Sequence, residues 1–274
     1  MEQQTLAAPF EFEGIGIHTG GPARVVVRPA GPGTGRVFHA AGQCIPARTQ
    51  FVVDTRRSTT LGRDGARLST VEHLLSALAG CGIDNCDVDV EGAEIPILDG
   101  SAQPFVRLIH VAGIVRQRAP ARFVTLDAPL SVENGGSELR AEPAGAMSLR
   151  VETRFDEWPE GAATLEVDGP AGVPADYMEA IAPARTFAFR REVDMLIAAG
   201  LAKGGSLDNA LVIEPPDTFS SSLRIPQEWC AHKALDLIGD LALLDARLAI
   251  RVTALRPGHR INTALAQKIA AACR

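Results

Sequence analysis

Charged and apolar positions alternate along residues 87–91 (DVDVE), and a valine run bounded by arginines occupies 24–28 (RVVVR); both patterns predict strands. The period changes at 71–79 (VEHLLSALA), which predicts a helix stopped by Gly80 as a C-terminal cap. A second helix is predicted after Pro104. The charged stretch 113–122, containing Pro120, reads as a linker region, with the linker proper at 117–122. Beyond it, 123–126, 139–142 and 148–155 are strand-like, and two helices are predicted at 228–244 and 261–271 around a β-like stretch at 248–253. Residues 190–199 carry Val193, Met195, Leu196 and Ile197 on a helical stretch capped by Gly200, followed by a strand-like 207–213, so the region reads as a packed strand-helix-strand unit. The expectation is an α+β protein of two sheet-plus-helix domains, 1–116 and 123–274.

Composition narrows the function classes. A chain of 274 residues with a hydrophobic share of 46% supports two modest cores. A formal charge of −6, without concentrated Lys and Arg, speaks against a nucleic-acid surface. The five cysteines, Cys44, Cys81, Cys86, Cys230 and Cys273, have no metal-type pairing and an odd count, which suits reduced thiols. The opening MEQQTLAAPFEFE lacks the layout of a signal peptide, and no apolar run approaches about 18 residues. A cytoplasmic protein without stable membrane insertion is expected. The glycines at 31–35 lack GxGxxG spacing and read as a turn-rich loop.

Two distant segments hold the candidate chemistry. His232 and Asp236 are four apart and share one helix face; with His73 they make a two-His, one-carboxylate set able to hold a divalent metal with a position open to water. Glu72, beside His73, is placed to take that water's proton. Asp240 lies one further turn along the same face, where a carboxylate can keep an imidazole protonated, and His259 is the candidate imidazole. Plainer readings exist for each. Ser69-x-x-Glu72 is also a capping box, His73 alone could be a core histidine, and His232 with Asp236 could be a solvated helix pair.

The chain resembles the UDP-3-O-acyl-N-acetylglucosamine deacetylases of lipid A synthesis. The segments that carry the resemblance run in order: GIGIHTG from Gly14, VVDTRRSTTLG from Val52, STVEHLLSALAGCGIDNCDVDVEGAEIPILDGSAQPFV from Ser69, ARTFAF from Ala184, GLAKGGSLDNALV from Gly200, HKALDLIGDLALL from His232 and PGHRIN from Pro257. The resemblance implies two similarly folded domains with helices packed between their sheets and the site where they meet. It implies zinc-assisted hydrolysis of the acetamide, with His73, His232 and Asp236 as Zn²⁺ ligands, Glu72 as base, His259 as acid supported by Asp240, and Thr186 as oxyanion donor. Two His and one carboxylate also accept Fe²⁺ or Co²⁺, but amide hydrolysis needs no redox chemistry.

By the same resemblance, Lys233 contacts the diphosphate or the reacting groups, Phe187 lies under the glucosamine ring, and His18 is near the site in an open role. The unit at 187–213 becomes a βαβ insert forming an apolar passage for the acyl chain, with Met195, Leu196 and Leu201 as lining residues. His39 and His110 match nothing catalytic and read as structural. Arg154-Phe-Asp-Glu-Trp-Pro159 departs from the family's F-x-H-P-like uridine segment, placing Trp158 where a histidine is usual; an aromatic there can stack on uracil. The expected partner is a small-molecule acylated UDP-amino sugar, bound by a monomer, with no nucleic acid. Two rivals stay open: a zinc deacetylase of another N-acetyl sugar, and a non-catalytic nucleotide-sugar or lipid-binding module. Acetate release separates the second rival from any deacetylase.

Overall fold

The valine run lies in the strand Pro22–Pro29, where Ala23, Val25 and Val27 are buried and Arg24 and Arg28 are exposed, as a period of two requires. In the computed structural model, which describes residues 1–170, 172–200 and 202–273, this strand belongs to a five-stranded sheet. Two hairpins, Phe10–Ile15 with Pro22–Pro29 and Arg36–Ala40 with Gln43–Pro46, flank the later strand Cys86–Glu91. That strand is antiparallel to the first hairpin and parallel to the second. The second half repeats the plan. Hairpins Leu130–Asn134 with Ser137–Pro143 and Met147–Phe155 with Trp158–Gly169 flank Ile250–Leu255, again antiparallel to one and parallel to the other.

Among the described residues the helices are α1 (Glu72–Gly80), α2 (Gln103–Ala112), α3 (Tyr177–Ala180), α4 (Arg190–Ala198), α5 (Glu228–Leu241) and α6 (His259–Ala272). In each half one long helix precedes the central strand and another follows it, which makes α1 the counterpart of α5 and α2 the counterpart of α6. The counterparts α1 and α5 pack against each other. A helix buried on every side has no polar face to spare, and α5 is buried at every position except Lys233. Gly239 permits the approach: a Cβ there would stand 2.1 Å from the Glu72 carbonyl oxygen. The fold is thus α+β, with the helix pair joining its two halves.

The 187–213 unit is the expected βαβ insert. Strands Phe187–Phe189 and Leu211–Glu214 pair in parallel around α4. The second strand starts later than expected because 206–210 is a turn, with Ala210 N–H donating to the Ser206 carbonyl and Ser206 N–H to Asn209 Oδ1. Gly200, at φ +70°, closes α4 as expected.

Other local expectations fail for identifiable reasons. The capping box is absent: Val71 is the cap residue, the Ser69 hydroxyl donates to the Ala93 carbonyl, and the Glu72 carboxylate accepts the Thr59 N–H instead. Gly80 is the last helical residue, not a left-handed cap; it is small because a Cβ would lie 2.4 Å from the Tyr177 ring. The 117–122 linker is largely strand, since Ile114–Pro120 pairs antiparallel with Glu2–Leu6 and Ala121 N–H continues to the Met1 carbonyl. All five cysteines are free thiols. No described helix is long and apolar enough to cross a membrane.

Candidate active site

One helical turn on α5 sets His232 over Asp236, and the packing of α1 on α5 brings His73 beside them. The Nε2 atoms of His73 and His232 lie 3.7 and 3.4 Å from Asp236 Oδ1, and all three side chains are buried. His232 Nδ1 lies 3.1 Å from the Ala184 carbonyl; a donor there leaves Nε2 its lone pair. Burial and the neighbouring His232 push His73 down to about 3, and burial lowers His232 as well, so both imidazoles are neutral. Asp236 is buried, which alone would raise it, yet the charges of Lys233 and His259 hold it below the usual carboxylate range.

That donor set fits a divalent cation. Asp236 Oδ1 and His73 Nδ1 are buried without a hydrogen-bond partner, and an unpartnered carboxylate oxygen away from water is costly. One ligand atom from each of His73, His232 and Asp236 falls within 4.8 Å of the others. Two neutral imidazoles and one carboxylate suit a first-row divalent ion.

Beside this triad stands a second buried polar group. His259 Nδ1 is 3.0 Å from Asp240 Oδ2, and His259 Nε2 is 3.7 Å from Glu72 Oε1. Asp240 also accepts the Thr59 hydroxyl at 2.5 Å and the Asn262 amide at 2.9 Å. His259 opens α6, where the positive end of the helix disfavours a cation. Burial opposes the charge too, but Asp240, then Glu72 and Asp236, outweigh it and raise His259 to about 10. Glu72 is pushed up to about 8, chiefly by burial, with Asp240 and Asp236 adding to the rise against the attraction of His259. The result is a carboxyl raised toward the mildly alkaline range beside an imidazole that stays cationic through neutral pH.

A cavity of about 590 Å³ joins these groups to the insert. Glu72, His73, His232, Lys233, Asp236 and His259 line it, together with His18, Thr186 and Phe187. Lys233 Nζ is 3.0 Å from Asp236 Oδ2 and 5.4 Å above the Phe187 ring, a cation-π distance. The His18 N–H is held by Glu94, while its Nδ1 is buried and unpartnered. Toward the insert, Val193, Leu196, Ile197, Leu207 and Val212 supply apolar lining.

Other expected residues are placed differently. Met195 is 61% exposed and does not line the cavity, because α4 turns Val193 and Leu196 inward. Leu201 lies outside the described residues. Trp158 cannot stack on a base: its indole is buried against Phe189, Phe219 and Trp229 and donates to the Pro216 carbonyl at 2.7 Å. His39 pairs with Asp87, and His110 binds the Val106 carbonyl, both away from the cavity. Sequence reasoning missed Asn134, Ser137, Arg57, Arg190, Arg256 and Arg260, which also line it. Arg256 and Arg260 flank His259 within one short motif, a signal available in advance; Asn134 and Ser137 sit on a hairpin that no motif marks.

Comparison with known proteins agrees with this geometry across the chain. The profile of the UDP-3-O-acyl N-acetylglycosamine deacetylase family matches residues 3–271. Among curated relatives, the UDP-3-O-acyl-N-acetylglucosamine deacetylase of Anaeromyxobacter sp. (strain Fw109-5) is 44% identical over 98% of this chain and 88% of its own length. The enzymes of that name from Acidithiobacillus ferrooxidans (42% identical, 97% of this chain and 88% of the relative) and Myxococcus xanthus (40%, 97% and 86%) match at similar length. The chain therefore belongs to the UDP-3-O-acyl N-acetylglycosamine deacetylase family.

Proposed function

We propose that this deacetylase removes the acetyl group of a UDP-3-O-acyl-N-acetylglucosamine in the cavity between α1, α5, α6 and the insert, with Zn²⁺ held by His73, His232 and Asp236. The observation that carries the proposal is the convergence of two neutral imidazoles on the unpartnered Oδ1 of Asp236, immediately beside Glu72 and the Asp240-supported His259. A cation held there supplies Lewis acidity toward water and the acetamide carbonyl, and its charge favours the ionised form of the carboxylate next to it. Glu72 accepts the proton of the attacking water as the oxygen adds to the carbonyl carbon. Thr186 donates its hydroxyl to the oxygen on which charge builds.

His259, cationic through Asp240, then protonates the amide nitrogen, so that the C–N bond breaks to release a neutral amine and acetate. An amide nitrogen leaves poorly as an anion, which is why an acid of high pKa suits this position. Lys233 and the cavity-lining Arg57, Arg190, Arg256 and Arg260 suit a diphosphate. Phe187, held edge-on to His232, offers a face for the sugar ring, and the apolar residues of the insert suit an acyl chain. His18 lines the cavity and is anchored by its backbone N–H to Glu94.

The test is acetate release from a UDP-3-O-acyl-N-acetylglucosamine, with metal content measured on each variant. Asp236→Ala is expected to lose most bound zinc and turnover, whereas Glu72→Gln keeps the metal and loses about 10²- to 10⁴-fold in kcat. Full zinc content in Asp236→Ala would move the metal site elsewhere. A Glu72→Gln enzyme with unchanged kcat would remove Glu72 from the reaction, and wild-type protein that releases no acetate would leave only a binding module.

A further inference from the structure

Thr59 spends all three of its polar groups on the helices that carry the site. Its N–H donates to Glu72 Oε2 at 3.0 Å, its carbonyl accepts the N–H of Val71 at the cap of α1, and its hydroxyl donates to Asp240 Oδ1 at 2.5 Å. The residue has no exposed surface, so no water can replace any of these bonds. A structural threonine commonly bonds its own helix or a neighbouring turn. This one instead reaches two carboxylates that belong to opposite halves of the fold, one on α1 and one on α5.

The geometry around Asp240 divides its work between its two oxygens. Oδ2 receives His259 Nδ1 and the Asn262 amide, both from α6, while Oδ1 receives only the Thr59 hydroxyl among the side-chain bonds described. The carboxylate plane is therefore set by a contact from the first half of the chain. Without the hydroxyl, Asp240 keeps its charge and its α6 partners but can rotate about its terminal bond, and His259 rotates with it relative to Glu72.

We propose that Thr59 is a positioning residue for the deacetylation, whose hydroxyl fixes Asp240, and through it His259, in register with Glu72. The inference rests on the reading that Asp240 and His259 serve the departing amine. Thr59→Val is isosteric and removes only the hydroxyl, leaving the backbone bond to Glu72 in place.

Steady-state kinetics, zinc content and thermal melting would be measured for Thr59→Val, Thr59→Ser, Asp240→Asn and the double variant Thr59→Val/Asp240→Asn. The expected result for Thr59→Val is a kcat lowered by about ten- to thirtyfold, with KM within about twofold and full zinc content. Thr59→Ser is expected to recover most of the loss, and Thr59→Val should cost little in the Asp240→Asn background, because both changes break one linkage. Equal losses of kcat for Val and Ser, or a full loss from Thr59→Val added to that of Asp240→Asn, would overturn the positioning role, as would a Thr59→Val enzyme at wild-type kcat. If Asp240→Asn itself kept the wild-type kcat, the reading beneath the inference would have failed instead.

Discussion

The wall formed by α1, α5 and the start of α6 and the wall formed by the insert enclose one cavity but are built by opposite means. On the first, Glu72, His73, His232, Asp236 and Asp240 are all buried, and the carboxylates of Glu72 and Asp240 are bound from two separate segments, the one carrying Thr59 and the start of α6. On the second, α4 has no buried residue; ion pairs of Arg191 with Glu157 and Glu192 with Arg57 reach the body of the protein, and Arg190 pairs with Glu214 within the insert. Groups that must move protons need fixed positions and a low dielectric, which only burial supplies. An apolar tail needs contact area without a fixed direction. On the proposed function the contrast separates chemistry from tail recognition, and it predicts that changes in the first wall act on kcat for every substrate while changes in the second sort substrates by chain length.

Of the substitutions that set one wall against the other, the largest effect is expected from Asp240→Asn. It leaves the shape of the buried wall but removes the charge that chiefly sustains the His259 cation, so kcat should fall about 10²- to 10³-fold with zinc retained. The pH profile carries the sign. On the proposed mechanism His259 acts as an acid only while protonated, and Asp240 holds it up to about 10, so the requirement for the acid is met below that pH and is lost as pH rises through it, while the acid limb belongs to ionisation of Glu72. Without the carboxylate the imidazolium is less stable, and the alkaline limb must move to lower pH. A limb that stayed in place, for acyl chains both long and short, would detach Asp240 from the acid and weaken the account of the first wall.

A second-wall counterpart is Leu196→Trp. Leu196 lines the cavity from α4, where a larger side chain narrows the space open to a tail but touches none of the polar groups. The expectation is a kcat/KM loss of at least about tenfold for a long acyl chain and less than about threefold for a short one. Kinetics with substrates of two chain lengths decide it. Equal losses would mean that the insert serves the common part of the substrate, and the division between walls would not hold.

How much of each wall could be read from sequence follows from the same difference. Glu72, His73, His232, Asp236 and Asp240 were legible because helical spacing places them on definite faces, and because few buried roles exist for so many ionisable groups. The halves of the site could not be joined by spacing alone, since the contact of α1 with α5 depends on Gly239 and on a topological duplication that leaves no residue repeat. Resemblance supplied that link. Local rules misled where tertiary partners outbid them: Glu72 left its capping box for Thr59, and Gly80 serves Tyr177 in place of a turn. In the insert, periodicity gave α4 but not its rotation, so Met195 was assigned to a lining that Val193 and Leu196 provide. Trp158 shows the converse, an aromatic whose polar handle finds a backbone carbonyl within the protein and leaves nothing for a ligand.

The smallest predicted effect tests the ion pairs of α4 themselves. The Arg57 and Glu192 side chains approach to 3.9 Å while both remain partly in solvent, a setting in which a pair contributes about 0.2 to 1 kcal/mol and is screened by salt. Arg57→Gln should therefore change the ratio of kcat/KM between long and short acyl chains by no more than about threefold, and raising ionic strength from about 0.05 to 0.5 M should reproduce most of that change in the wild type. The ratio is the right quantity because salt also weakens binding of the diphosphate, a loss common to both chain lengths that cancels between them. Zinc content should not move. A tenfold change in the ratio would mean that the insert is held as rigidly as the buried wall, with Arg57 among its principal supports; no change at all would leave the apolar contacts of Val193, Leu196 and Ile197 as the sole determinants of where α4 lies over the tail.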